Sequence, residues 1–251
     1  VENVLLYFSI KYSGDWDQIY NALDTKEKIT HKDLDEISNK VDCNFITILN
    51  PLYPNYLKNT HKPPFVIFYK GDLSLISNHN KTIALVGGDE VNEYGIKSTQ
   101  TFMKELNEEG TVFSTIENIG VNNEVLDNGL KNNYKLIKIV EESMKDYLKK
   151  TLDIPERKNL LAITEIYESN NNIVNLMGDY ANRMLCGISK AILFIQFKER
   201  DIIKKLFSFS INEGKEVFAV PDSIYSKNAT NKLIKDGAKL VENAKDILNQ
   251  I

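Results

Sequence analysis

The chain has 251 residues, 42% of them hydrophobic, with only 12 glycines and 6 prolines, which is enough apolar material for one large domain and a small appendage. Its 31 Lys and Arg stand against 35 Asp and Glu, and the net charge of −4 excludes a global positive field that would draw it to nucleic acid or an anionic membrane; any nucleic-acid contact has to come from a local patch. Cys43 and Cys186 are far apart, without a CxxC or a His/Cys cluster, which argues against a disulfide framework and a zinc site.

Residues 1–50 read as a small helical lead segment, in which Trp16, Ile19, Tyr20 and Leu23 recur at helical spacing and Thr30 caps a second short helix. No signal-peptide pattern stands at the N-terminus and no stretch reaches the roughly 20 apolar residues of a membrane span, so the expectation is a protein of the reducing cytoplasm with no membrane partner. From residue 51 the texture changes. Short apolar runs at 65–69, 82–87, 111–114, 134–140, 160–163, 191–196 and 216–220 are mostly followed by helical patterns. Runs that are apolar on both faces and alternate with helices predict a mostly parallel sheet covered on both sides, a doubly wound α/β fold. The clearest helix covers 173–188, where Ile173, Leu176, Met177, Tyr180, Ala181, Met184, Leu185 and Ile188 share one face. Asn182 and Arg183 fall off that face and are expected to point away from the core. The polar run 168–172 before this helix reads as a loop.

In an open α/β sheet, ligands bind outside the carboxyl ends of the strands, near the point where strand order reverses. The loops at 87–95, 114–122, 141–145, 197–202 and 221–229 therefore carry the candidate site. The stretch "ALVGGDEVNEYG" at 84–95 begins as a phosphate-cradling loop does, with a buried strand and two glycines. Asp89, Glu90 and Glu93 then follow, and they would repel the anion that backbone N–H groups and a helix N-terminus attract. Neither GxGxxG nor a P-loop signature is present, so no nucleotide cofactor is expected. His31, His61 and His79 all precede the α/β body, and the acidic pairs Glu108/Glu109 and Glu141/Glu142 lack metal-ligand spacing. The expectation is a protein without catalysis, cofactor or metal. Lys198, Arg200, Lys204, Lys205 and Lys227 bring positive charge to later loops, and Tyr94, Phe197 and Tyr225 are candidate stacking platforms for bases. Exposed helix charge and core packing are the competing readings of these two sets.

Six motifs follow one another over about residues 50–250: "YPNYL" at 53–57, "PPFVIFYKGDLSLI" at 63–76, "IALVGG" with "YGIKS" seven positions after Gly87, "NRMLCGISKAILFI" at 182–195, "NEGKEVFAVPDSI" at 212–224 and "NKLIKDGAKLV" at 231–241. Their order and spacing give the chain a resemblance to the DprA/Smf family of DNA-processing proteins. This resemblance implies an extended Rossmann-like domain over 51–251 that binds single-stranded DNA in a basic pocket, forms a homodimer and loads a RecA-type recombinase during uptake of foreign DNA. The DNA-binding residues it implies are Gly87, Gly88, Ser114, Asn182, Arg183, Lys198, Asn231 and Lys232. Leu240, Ile247 and Leu248 are the candidate apolar surface for the dimer.

The departures from the family pattern fall on the loops. Asp89 stands where the family has the arginine of Gly-Ser-Arg, Thr115 where a glycine follows Ser114, and Gly120, Val121 and Asn122 where it has Gly-Ile-Asp. Ala181 replaces the first arginine of Arg-Asn-Arg, Asp201, Ile202 and Ile203 replace Ser-Gly-Ser, and Asp222 replaces the glycine of a Pro-Gly turn. What is lost is anion chemistry. Asp89 is expected to cap the N–H groups of its own loop in the ligand's place. Two functions follow as expectations: a single-stranded-DNA binder, or a degenerate scaffold acting through protein contacts. A phosphoribohydrolase-like enzyme would be analogy of fold alone, and its Pro-Gly-Gly loop is absent.

Overall fold

A computed structural model describes residues 1–117, 119–170, 173–198, 201–226 and 228–251, with backbone alone at Val174 and at 201–204. The lead segment forms three helices, α1 (Glu2–Lys11), α2 (Trp16–Asp24) and α3 (His31–Lys40). Thr30 caps α3 as the sequence predicts: its hydroxyl accepts from the Asp33 N–H, and the Asp33 carboxylate accepts from the Thr30 N–H. Trp16 stacks between Tyr20 and Phe65, which ties α2 to the start of the sheet.

The sheet has nine strands among the described residues: β1 (Asn44–Thr47), β2 (Val66–Gly71), β3 (Thr82–Val86), β4 (Val112–Ile116), β5 (Lys135–Ile139), β6 (Leu160–Thr164), β7 (Ala191–Phe194), β8 (Glu216–Ala219) and β9 (Lys239–Leu240). Their order is β1-β2-β6-β5-β4-β3-β7-β8-β9, antiparallel for β1/β2 and β2/β6 and parallel elsewhere. All seven apolar runs form strands. Two further strands were not legible: β1 lies within the lead segment and β9 has two residues, each too short to show an alternation. The lead segment is therefore helical only as far as Lys40.

The remaining helices are α4 (Asn55–Lys58), α5 (Glu93–Asn107), α6 (Val121–Lys131), α7 (Met144–Lys150), α8 (Met177–Ile188), α9 (Asp201–Asn212), α10 (Thr230–Lys235) and α11 (Ala244–Leu248). They cover both faces, which is why the central strands β3, β4 and β7 are buried along their whole length. Ala84 and Val86 of β3 pack with Met184, Leu185 and Ile188 of α8 and Leu233 of α10. The alternate residues Ile83 and Leu85 pack with Phe102 and Met103 of α5 and Val125 of α6. Ile247 of α11 is fully buried in this second layer and Leu248 packs beside it, so the expected C-terminal apolar surface is reduced to Leu240, 49% exposed. The turn of α11 back onto α5 covers the other two. Among the described residues no helix is long and apolar enough to cross a membrane.

His79 is absorbed by packing. Its ring stacks on Tyr56 at 3.9 Å and its Nδ1–H donates to the carbonyl of Ile188 at 3.1 Å, pinning the 73–81 segment to the end of α8. Burial lowers its pKa below the ordinary 6.5, against the opposing effect of the Ile188 hydrogen bond. Because the unfolded chain takes up the proton first, this site's stability is fully present above about pH 6.5 and is lost as pH falls toward the depressed folded value. A His79→Phe chain, which keeps the stack, is expected to lose less melting temperature than the wild type between about pH 7.5 and about pH 5, as measured by circular dichroism.

Candidate functional site

Chain connections diverge at β3, with β4 on one side and β7 on the other, so a crevice opens at the carboxyl ends of β3 and β7. The glycine loop lies there, and its donors are already committed. The Gly87 N–H donates to the side-chain carbonyl of Asn122 at 3.0 Å and the Gly88 N–H to the carbonyl of Gln196 at 2.7 Å. The Gly88 carbonyl in turn accepts from the Val121 N–H at 3.1 Å. Gly120 is what allows this closure. It sits at φ +69°, and a Cβ there would stand 2.1 Å from the Gly88 oxygen. Beyond the glycines, the Gln196 amide clasps Asn92, accepting from its N–H and donating to its Oδ1, both at 3.0 Å, while Asn92 Oδ1 caps α5 through the Gly95 N–H. The acceptors for the glycine N–H groups are thus Asn122 and Gln196, in place of the expected Asp89. The Asp89 charge also reaches Glu141: burial, and then that charge, push the Glu141 carboxyl above its usual range.

Arg183 lies inside the protein. Its Nη2 donates to both carboxylate oxygens of Glu165, at 2.6 and 2.7 Å, and the side chains are 9% and 4% exposed. Burial pushes the Glu165 carboxyl up, against the downward pull of the Arg183 charge and hydrogen bonds. Tyr180 places its ring 5.1 Å from the guanidinium. Asn182 is buried as well, and both depart from the expectation that they point off the helix toward solvent. Arg183 is enclosed by Glu165 after β6 together with Tyr180 and Tyr53, while α9 packs along another side of α8, with Lys205 on Asp179 and Ser210 on Cys186, so little of α8 is left to water.

On the far side of the crevice, Asp222 organises the loop after β8. Its carboxylate accepts from the Ser223 N–H at 2.6 Å, Asn228 Nδ2 at 2.8 Å and Ser226 Oγ at 2.9 Å. Although burial opposes it, these hydrogen bonds hold the carboxyl below its usual value. Between residues 90–92, residues 196–198, Ser226 and Asn228 lies a cleft of about 210 Å³. At its rim Lys198 pairs with Glu90. Ile224 and Tyr225, on the same loop as Ser226, are 86% and 91% exposed.

The model of the family described as DNA recombination-mediator protein A matches residues 44–251. The chain belongs to that family. DNA processing protein DprA of Bacillus subtilis is 27% identical over 213 residues, 83% of this chain and 71% of that one. The Streptococcus pneumoniae protein is 26% identical over 207 residues, 80% and 72% of the two chains. Among solved structures, DNA processing protein A from Streptococcus pneumoniae superposes with a TM-score of 0.73 at 22% identity, covering 99% of this chain and 93% of its own. DNA processing protein A of Helicobacter pylori, described for its single-stranded DNA binding mode, gives 0.67 at 20% identity, covering 83% of this chain and 95% of its own. These likenesses give the fold. The family match starts at Asn44, the first residue of β1, so β1 goes with the α/β body.

Set against this DNA recombination-mediator family, the residues implied by resemblance divide in two. Gly87 and Gly88 line the crevice with their N–H groups engaged, while Ser114 is fully buried and shares a 2.8 Å hydrogen bond with Ser189. Asn231 clamps the turn backbone, accepting from the Asp222 N–H at 3.0 Å and donating to its carbonyl at 2.6 Å. Lys198 and Lys232 are exposed at this end of the fold. Of the aromatics, Phe197 is 2% exposed and belongs to the core, Tyr94 donates its hydroxyl to the Pro221 carbonyl at 2.6 Å, and Tyr225 stands in solvent. Arg200, Lys227 and the side chains of Asp201, Ile202, Ile203 and Lys204 lie outside the described residues. Sequence reasoning missed Asn92, Glu165 and Gln196, and singled out Asn122 only as a departure from the family pattern, without its role as acceptor for Gly87. The available signals were a lone acid directly after β6 and a lone arginine within an apolar helix, whose pairing satisfies both.

Arg183→Ala leaves Glu165 buried without its partner and is expected to destabilise the protein by about 3–5 kcal/mol. The double variant Arg183→Met/Glu165→Leu should recover most of that loss. Urea denaturation of the three chains measures both; a loss of under about 1 kcal/mol for the single variant would contradict a structural role for the pair.

Proposed function

We propose that this DNA-processing family member is a non-catalytic binder of single-stranded DNA that holds the strand over the β3/β7 crevice by stacking rather than in a phosphate cradle. The observation that carries this is Tyr225 at 91% exposure beside Ile224 at 86%, on a loop that Asp222 holds in place at the rim of the cleft. An aromatic ring and an aliphatic side chain left in water are favourable only when another surface covers them. Bases suit that role, because every base presents a π-face. Lys198 and Lys232, both exposed at this end of the fold, are the cations that would meet the backbone. The Lys198–Glu90 pair is half exposed and contributes about 0–1 kcal/mol, so a phosphate can replace the carboxylate at little loss. The single-stranded DNA binding described for the Helicobacter pylori relative supports the same ligand here. The family's description as a recombination mediator supports a RecA-type recombinase as protein partner. A homodimer in the cytoplasm completes the proposal, as the sequence and its resemblance imply.

A second reading, a scaffold acting through protein contacts, is favoured by the closed glycine loop and the internal Arg183. The two readings separate on one measurement, the anisotropy of labelled oligo-dT across a salt titration. Stacking on Tyr225 predicts that Tyr225→Ala weakens binding by about 1–3 kcal/mol, roughly 5- to 150-fold. Contacts from Lys198 and Lys232 predict a shallow salt slope of about −1.4, at about −0.7 per phosphate. Absence of wild-type binding at low salt, or equal binding by Tyr225→Ala, would hand the crevice to the scaffold reading. Light scattering at micromolar concentration checks the homodimer, which a mass of 28.7 kDa would remove.

A further inference from the structure

At the opposite end of the sheet, β5 and β6 start side by side, with Leu136 beside Leu160. Lys135, Arg157 and Lys158, together with Asn133 and Asn159, line a cleft of about 440 Å³ there. None of the three cations pairs with a carboxylate among the described residues, although Asp153 and Glu156 are exposed on the same connecting segment. This contrasts with Lys138, Lys145 and Lys150 nearby in sequence, each of which has an acidic partner. The backbone under the cations is fixed. The Leu136 N–H donates to the Asn159 carbonyl at 2.8 Å, Asn159 Nδ2 donates to the Tyr134 carbonyl at 2.8 Å, and the Leu160 N–H donates to the Arg157 carbonyl at 3.2 Å.

The carbonyl end of α6, which closes at Lys131, favours positive charge close by and accounts for a residue such as Lys135. It does not account for Arg157 and Lys158, which arrive on a separate segment. Among the described residues the lining is polar throughout, without an aromatic or aliphatic side chain to hold a base or a lipid tail. A guanidinium fork and two ammonium groups around an open polar cleft match the oxygens of a phosphate.

We propose that this cleft is an anion site for a phosphate group, with Arg157, Lys135 and Lys158 as its donors. The phosphate comes either from a nucleic-acid backbone or from a free phosphorylated molecule. The site lies away from the crevice and stands independently of the stacking reading given above.

Heteronuclear NMR of the full chain tests it with pyrophosphate and with oligo-dT, each at ionic strength matched by sodium chloride. Pyrophosphate is expected to shift the amide signals of Asn133, Lys135 and Asn159 saturably in the wild type, and to leave them in place in Arg157→Ala/Lys158→Ala. Both replaced side chains are exposed, so the rest of the spectrum should be unchanged and report an intact fold. If oligo-dT shifts the same three signals, the natural source is a strand, and the double variant should flatten the salt slope of binding by about 0.7 per lost contact. If pyrophosphate alone acts, the source is a free phosphorylated ligand. The absence of a saturable pyrophosphate shift, or an equal shift in the double variant, overturns the site. The amides of Ile224 and Tyr225 report the crevice separately, so failure there leaves this result readable.

Discussion

Two backbone N–H groups decide what the crevice can hold. In a phosphate-binding loop the N–H groups after the first strand are left for the ligand, and they are costly to bury unless something accepts from them. Here Gly87 and Gly88 donate to Asn122 and Gln196, so the protein supplies the acceptors itself. The closure requires Gly120 to bring α6 against the loop, Val121 to donate back to Gly88, and Gln196 to reach across to Asn92. The carboxylates that follow the glycines, which would oppose a bound anion, become tolerable once no anion is needed there.

The same principle explains the other departures from the family pattern. Asp222 stands where the resemblance implies a glycine in the turn. Its carboxylate instead ties down Ser223, Ser226 and Asn228 with three hydrogen bonds. Arg183, placed by resemblance among the DNA contacts, is spent on Glu165. A buried ion pair adds little net stability compared with an apolar pair, but losing one member is expensive. The pair therefore reads as a lock between α8 and the end of β6 rather than as a store of binding energy.

With the glycine loop closed and the arginine internal, the groups still able to meet a ligand are those that folding left in water. At the carboxyl end of the sheet these are Ile224, Tyr225 and Lys198, whose ion pair with Glu90 is solvated. At the amino end of β5 and β6 they are the cations of the 440 Å³ cleft. The two ends differ in chemistry, apolar and aromatic at one and cationic at the other. A net charge of −4 is compatible with both, because it bounds the mean field and not a local one.

The sequence by itself determined the sheet and its covering. Seven runs apolar on both faces form seven strands, because a strand buried twice has no polar side to display. The cap at Thr30 and the helix through Leu185 were legible too, since spacing within one element suffices to read them, although the α-helix begins only at Met177, after a 3-10 turn at Val174–Leu176, rather than at Ile173. Motif order pointed to the family, which the match over 44–251 establishes. Tertiary structure alone decided which polar groups remain available. Glu165 and Arg183 are 18 residues apart, Gly87 and Asn122 35, and Asn92 and Gln196 104. Periodicity placed Arg183 away from the core of its own helix, and only the tertiary approach of Glu165, just after β6, made that outer position an interior one. A hydrogen bond needs its partners within about 3 Å, and no local pattern encodes which distant residue folding will bring to that distance.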